Sequence, residues 1–233
     1  AEGLYMTDKG ILIEDKVGHI WVATVGQGAY QKQQERFKRF DRHDGLLCDT
    51  IHDAMVTDDG KIWFGTARGL SMLQDGLFHN HFKFSDLENK TISALAKDDS
   101  NHVWIAHPGG ISCYDGRNWR LEIPTLQLNA QEVNEMLWDS KHRLWICTAK
   151  GLYRFQKGTL ERFEAQKGLW DAEFNAVIED KAGNIWIGTN GDGMSMFSDG
   201  MFTQFGAELG KDFVYALNKQ PDGNYWIGTG NGI

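Results

Sequence analysis

The sequence predicts an all-β chain, a β-propeller built of four-stranded antiparallel blades, with five complete blades and the first two strands of a sixth. Three observations carry that prediction. Tryptophan returns at Trp21, Trp63, Trp104, Trp145, Trp186 and Trp226, in steps of 42, 41, 41, 41 and 40 residues. A period in this range marks a stacked array of supersecondary units. Around each tryptophan stands the same phrase, an apolar run, a polar turn, then an aromatic-apolar run closing in a small or hydroxyl residue. Glycine is abundant at 27 residues and proline scarce at 3, which suits many tight turns between short strands.

The repeats divide the chain roughly into 1–42, 43–84, 85–125, 126–165, 166–206 and 207–233, within one propeller domain or a fragment of one. In the first, Gly3-Leu4 stands 18 and 17 residues before Trp21, and Gly45-Leu46 and Gly168-Leu169 keep the same offsets. The second lays out four strands most plainly: A about Ile51 to Thr57, B Lys61 to Thr66, C Leu70 to Leu73, D about Leu77 to Phe82. Asp58-Asp59-Gly60 and Gln74-Asp75-Gly76 supply residues that tolerate reversals and positive φ. Runs of four to seven residues are too short for independent helices. Strand B is apolar on both faces, as in Ile62-Trp63-Phe64 and Ile185-Trp186-Ile187, the pattern of an interior strand packed on both sides. The six tryptophans are therefore read as spacers between blades. In the sixth repeat only seven residues, Ile227 to Ile233, follow the anchor, so strands C and D are expected from elsewhere, and the chain is expected to be a fragment or an array completed by another chain.

A meander of this kind sends the D-to-A and B-to-C connections to one end of the blades and the A-to-B and C-to-D turns to the other. The first group varies most, and varied loops on a fixed scaffold are where recognition sits. The B-to-C loops offer Arg68, His107, Lys150, Asn190 and Asp192. The D-to-A loops add Asn134, Trp170, Asn175 and Tyr215, with His52 and Glu173 among their neighbours. Donors, acceptors and two aromatics in one ring suit a polar small ligand such as a sugar or peptide. His107 departs from a rule: three residues after the anchor the other repeats read Thr24, Thr66, Thr148, Thr189 and Thr229. A histidine there serves as a larger hydrogen-bonding plug, a ligand contact or an acid-base group.

Other chemistry is thinly supported. The formal charge of −8 gives no dense basic surface for nucleic acid or anionic lipid. Cys48, Cys113 and Cys147 have no close Cys-x-x-Cys spacing and read as small hydrophobes or surface thiols. His79 and His81 share a strand face without a third ligand, and His19, His102 and His142 fall in A-to-B turns, so no metal or other cofactor is expected. Asp98-Asp99-Ser100-Asn101 lacks a calcium-loop pattern and reads as turn chemistry. No Gly-x-Ser-x-Gly, His-Glu-x-x-His or phosphate-binding loop is present, so no catalytic residue is assigned. No apolar run is long enough to cross a membrane, and the first residues lack the basic and apolar stretches of a signal peptide.

The phrase Glu179-Asp180-Lys181-Ala182-Gly183-Asn184-Ile185-Trp186-Ile187-Gly188-Thr189, followed by Gly193-Met194-Ser195-Met196-Phe197, resembles the repeat of the two-component regulator propeller family. Asp59 to Thr66 with Gly69-Leu70, and Asp139 to Cys147 with Gly151 to Phe155, are further copies. The resemblance implies a propeller of the extracytoplasmic sensor part of bacterial hybrid histidine kinases, commonly seven-bladed and often paired, which detects glycan breakdown products. It implies ligand sensing on the periplasmic or extracellular side, and transfers no ligand contact, because the family motif is structural. Two other classes stand beside it. Asp58-x-Gly60-x-x-Trp63 resembles the aspartate box of sialidase-like propellers, a folding element. The streptogramin lyases carry loosely similar repeats and use a metal and histidine on one face, which would direct attention to His107 and His52. A purely structural or protein-binding propeller is the remaining class, and would expose an apolar patch to a protein partner.

Overall fold

The computed structural model describes residues 10–80, 87, 89–128, 132–164, 169, 172–205, 213–219 and 224–232. Trp170 and His81, singled out above, lie outside them. The described residues form six antiparallel sheets, each a simple up-and-down meander in chain order. The first holds β1 (Gly10–Glu14), β2 (Ile20–Thr24), β3 (Ala29–Gln33) and β4 (Arg36–Phe40). The second holds β5 (Ile51–Val56), β6 (Ile62–Thr66), β7 (Gly69–Gln74) and β8 (Leu77–His79). The third holds β9 (Ala94–Lys97), β10 (Val103–His107), β11 (Gly110–Tyr114) and β12 (Trp119–Pro124). The fourth holds β13 (Val133–Trp138), β14 (Leu144–Thr148), β15 (Gly151–Gln156) and β16 (Thr159–Phe163). The fifth holds β17 (Phe174–Glu179), β18 (Ile185–Thr189), β19 (Met194–Ser198) and β20 (Met201–Phe205), and the sixth only β21 (Val214–Lys219) and β22 (Tyr225–Thr229). The expected strands thus occur in the expected order, with β8 ending at His79 and Phe82 outside the described residues.

The chain falls into two compact units, Ala1–Leu121 and Glu122–Ile233. In the first unit, Trp21, Ala23 and Phe40 of the first sheet pack on Leu46, Ile51, Ile62 and Phe64 at the second. The Trp21 ring lies 5.1 Å from Phe40 and 6.3 Å from Phe64. Trp63 and Leu70 then pack on Ile92, Leu95, Val103 and Ile105 at the third. In the second unit Trp145, buried completely, stacks on Phe163 at 5.5 Å and meets Phe197 edge-on at 5.1 Å. All residues of β6, β10 and β14 are buried, which is why strand B does not alternate. Truncating an aromatic in such a position costs roughly 3 to 5 kcal/mol. The spacer role expected of all six tryptophans holds for Trp21, Trp63 and Trp145, while Trp104 is buried and Trp186 half-buried. Trp226 is 54 % exposed, because no sheet among the described residues lies over its face of β22.

In four of the sheets the A-to-B turn is held by one carboxylate six residues before the tryptophan. Asp15, Asp98, Asp139 and Asp180 accept the indole N–H of Trp21, Trp104, Trp145 and Trp186 at 2.7 to 3.1 Å. Their other oxygen accepts the backbone N–H groups two and four residues on, an Asx-turn that fixes the reversal. In the second sheet Thr57 takes the place, accepting from Trp63 at 3.2 Å and donating to Asp59. Three residues before the first five tryptophans the backbone is left-handed, at Gly18, Gly60, Asn101, His142 and Gly183. That geometry favours glycine and asparagine and makes His142 a turn residue.

Small residues two positions after the tryptophan let neighbouring sheets approach. A Cβ on Gly188 would stand 2.6 Å from Cγ1 of Val214 in β21, and one on Gly65 would stand 3.0 Å from Ile92.

Candidate functional site

The loops expected to share one end of the blades are hydrogen-bonded to one another within each unit. Gly26 and Gly28 donate to the Asp49 carbonyl, Ala67 to Thr50, Asn190 to Glu173 and Gly230 to Phe213, each joining a B-to-C loop to a D-to-A segment. The A-to-B turns are linked separately, by Lys16 and Lys97 to Asp58, by Asp58 to Asn101, and by Ser140 to Glu179. The two ends are therefore chemically distinct.

At the first end, strand A carries a recurring irregularity. The register of β5 on β6 skips between Ile51 and Asp53, that of β13 on β14 between Val133 and Glu135, of β17 on β18 between Phe174 and Ala176, and of β21 on β22 between Val214 and Ala216. The skipped residues are His52, Asn134, Asn175 and Tyr215, all eleven residues before their tryptophan. A bulge leaves its extra residue out of the ladder and re-aims its side chain, a common device beside binding sites. Three expected site residues are thus delivered by one backbone feature.

In the second unit these positions form a connected group. The Asn134 amide donates to the Phe174 carbonyl at 2.9 Å and lies 3.4 Å from Glu173 Oε1 and 3.5 Å from Asn175 Oδ1. Glu173 Oε2 accepts the Asn190 amide at 2.7 Å, and the Asn190 backbone N–H bonds the Glu173 carbonyl. One carboxylate therefore spans the fourth sheet, the fifth and the β18–β19 loop. Asn190 also pairs with Phe213 as an isolated bridge. Beyond it, Phe213 and Tyr215 lie with their rings nearly parallel, 7° apart and 5.8 Å between centroids, 43 % and 48 % exposed. Gly230 and Gly191 flank them without side chains, keeping the rings uncovered. The result is a ledge with one carboxylate, three amides and an aromatic pair, able to offer oxygen acceptors, N–H donors and ring faces together.

The other expected residues are held by their turns. In four B-to-C turns the threonine hydroxyl donates to the carbonyl of the glycine that closes the turn at 2.7 Å, from Thr24, Thr66, Thr148 and Thr189. Thr66, Thr148 and Thr189 also accept a backbone N–H, from Arg68, Lys150 and Asp192 at 3.1 to 3.2 Å. Arg68 and Lys150 are exposed and Asp192 half-buried. His107 occupies that place with one bond of the same kind and one different. Its Nδ1 accepts the Gly109 N–H at 3.1 Å, so Nε2 carries the proton and donates to Ser112 Oγ at 2.8 Å. It is 8 % exposed. Both ring nitrogens are thus hydrogen-bonded within the protein. Of the residues in the ledge, Phe213 escaped the sequence reading, while Glu173 stood in it as one of the D-to-A loop residues. Both stand thirteen residues before the tryptophan, a periodic signal that a two-residue offset from the bulge would have revealed.

Antiparallel meanders stacked within each unit on tryptophan-centred cores give the chain the fold of a β-propeller of four-stranded blades, the last one represented by two strands. Residues 168–191 match the two component regulator propeller family, so the chain carries that repeat at the copy that reads most plainly. It is similar to the extracellular domain of the hybrid two component system BT3049 from B. thetaiotaomicron, with a TM-score of 0.78, 22 % identity, and coverage of 95 % of this chain and 32 % of that one. It is also similar to the extracellular domain of the BT4673 system of the same organism, with a TM-score of 0.77, 19 % identity, and coverage of 94 % and 30 %. Virginiamycin B lyase from Staphylococcus aureus matches with a TM-score of 0.75, 11 % identity, and coverage of 96 % and 80 %. The chain spans about a third of the length of those two extracellular domains. No curated protein matches it by sequence. Among the described residues no helix is long and apolar enough to cross a membrane.

Proposed function

We propose that this chain is part of the extracytoplasmic, ligand-sensing region of a bacterial signalling protein, and that the ledge of the second unit takes a glycan-derived or similarly polar small ligand. The observation that carries this reading is the bulge at Asn134, Asn175 and Tyr215, which turns three side chains of one repeat position out of the ladder beside the Glu173 carboxylate. Amides and a carboxylate suit ring hydroxyls, and an exposed aromatic pair suits a sugar face. Asn190, Asp192 and Lys150 border the ledge in this reading. Arg68 belongs to its own turn in the first unit, and His107 shapes its turn without touching ligand. The likeness to extracellular domains of two-component systems supports the sensing role and the compartment.

Calorimetric titration of the chain with a panel of oligosaccharides tests it. At least one binds, and Tyr215→Ala and Asn175→Ala each weaken it by about tenfold or more, equivalent to roughly 1.4 kcal/mol. Absence of any binding sugar, or variants that bind as the wild type does, would overturn the assignment. The exposure of Phe213 and Trp226 favours a second reading, a protein partner or further strands seated against the sixth sheet.

A further inference from the structure

A different cluster lies at the opposite end of the third sheet, in the first unit. Asp98, His102 and Cys113 bring one ligand atom each within 4.8 Å of one another. His102 Nδ1 is 3.0 Å from Asp98 Oδ2. Tetrahedral zinc holds oxygen, nitrogen and sulfur ligands about 3.3 to 3.6 Å apart, so small side-chain rotations complete the set. We infer that Asp98, His102 and Cys113 form a binding site for a borderline-soft divalent cation of the zinc class.

The internal repeats act as controls on this reading. The same three places hold Asp15, His19 and Gln31 in the first sheet, Thr57, Lys61 and Met72 in the second, Asp139, Arg143 and Arg154 in the fourth, and Asp180, Asn184 and Met196 in the fifth. Among these complete sheets, the third combines a carboxylate, an imidazole and a thiol. The first sheet also shows that the position of Cys113 faces the histidine, since Gln31 Nε2 lies 3.1 Å from His19 Nδ1.

The donor set is preorganised. Asp98 Oδ1 accepts the Ser100 and His102 backbone N–H groups, and Trp104 Nε1 donates to Oδ2, so the carboxylate is oriented before a cation arrives. Cys113 pairs with Trp104 across β10 and β11 and is 2 % exposed, which shields a metal–sulfur bond from competing water. His102 opens onto a cleft of about 170 Å³ shared with Asn101 and Tyr114, a path for the ion and for a water at the fourth position. Thiolate and imidazole with a single carboxylate select zinc-like ions over calcium or magnesium. On binding, the thiol proton leaves to solvent as the sulfur–metal bond forms.

Cobalt(II) is the probe. Added to the reduced, chelator-washed chain, it gives a stoichiometric thiolate-to-cobalt charge-transfer absorption that zinc abolishes and calcium leaves intact. Cys113→Ser and His102→Gln lose the band, while His19→Gln, which removes the matching contact in the first sheet, keeps it. Near-ultraviolet circular dichroism checks that each variant is folded. On the wild type alone, zinc raises the Tm and magnesium does not. Absence of both the cobalt band and the zinc-induced Tm rise in the wild type, or a band that survives in folded Cys113→Ser, would overturn the inference.

Discussion

At the scale of single residues, position relative to the tryptophan decides what a side chain does. Eleven residues before it, a bulge releases the side chain toward the ledge, as at Asn134 and Asn175. Three residues after it, a hydroxyl closes the turn, and at His107 an imidazole keeps the bond from the backbone N–H two residues on but turns its other nitrogen to Ser112 Oγ. His107→Thr restores the bond found in the other repeats and leaves stability within about 1 kcal/mol of the wild type. His107→Ala leaves the Gly109 N–H without a side-chain acceptor and supplies no hydroxyl to the turn, with a loss of roughly 1 to 3 kcal/mol in urea unfolding. Equal losses for the two variants would contradict the assignment. Ser195 Oγ, buried without a partner among the described residues, has a similar history. Its counterpart Ser71 accepts the Leu47 N–H, and the residue matching Leu47 is Trp170, outside the described set.

At the scale of elements, strand B needs a small residue where the next strand A crosses it. Gly188→Ala places a methyl against Val214 at 2.6 Å, inside the second unit's core, and overpacking of that kind costs roughly 1 to 3 kcal/mol. Gly228→Ala is the control, because its nearest neighbour is Ala216 Cβ at 3.5 Å, an ordinary contact. Denaturant midpoints of the two variants should separate clearly, Gly188→Ala being the weaker. Coincident midpoints would mean that the second unit relaxes around the added methyl. The strands themselves were legible in the sequence because each repeat restates the same alternation of apolar run and turn. The bulges were not, since strand A offers too few buried positions on each side of the inserted residue for the one-residue shift of phase to stand out.

At the scale of the whole molecule, the carboxylates that clip the turns set the response to acid. Burial pushes the carboxyls of Asp15 and Asp180 up, but hydrogen bonds from Trp21, His19 and Val17, and from Trp186, Asn184 and Ala182, outweigh it and hold both below the ordinary value. For Asp59 burial is outweighed by hydrogen bonds from Lys61, Thr57 and Asn101 and by the Lys61 charge, which bring it down to about 2. A carboxyl lowered by folding stabilises the fold at every pH above its unfolded value, and that stability is lost as pH falls through the folded value. The chain should therefore hold its Tm down to about pH 4 and lose it progressively toward pH 2. A Tm that rises on acidification would contradict these turns as stabilising elements.

The sequence by itself determined the period, the strand order and the burial of strand B, because these depend on local alternation, turn residues and a tryptophan repeated six times. It also brought forward the loops that hold Asn134, Asn175, Asn190 and Tyr215. Only the tertiary structure decided which of them meet, for Asn134 and Asn190 reach Glu173 from 39 and 17 residues away along the chain. Likewise His102 and Cys113, read separately as a turn residue and a small hydrophobe, become a donor set only when β10 and β11 pair. Periodicity reports what a residue does for its own repeat, while contacts between strands and between sheets depend on distances that no local pattern encodes.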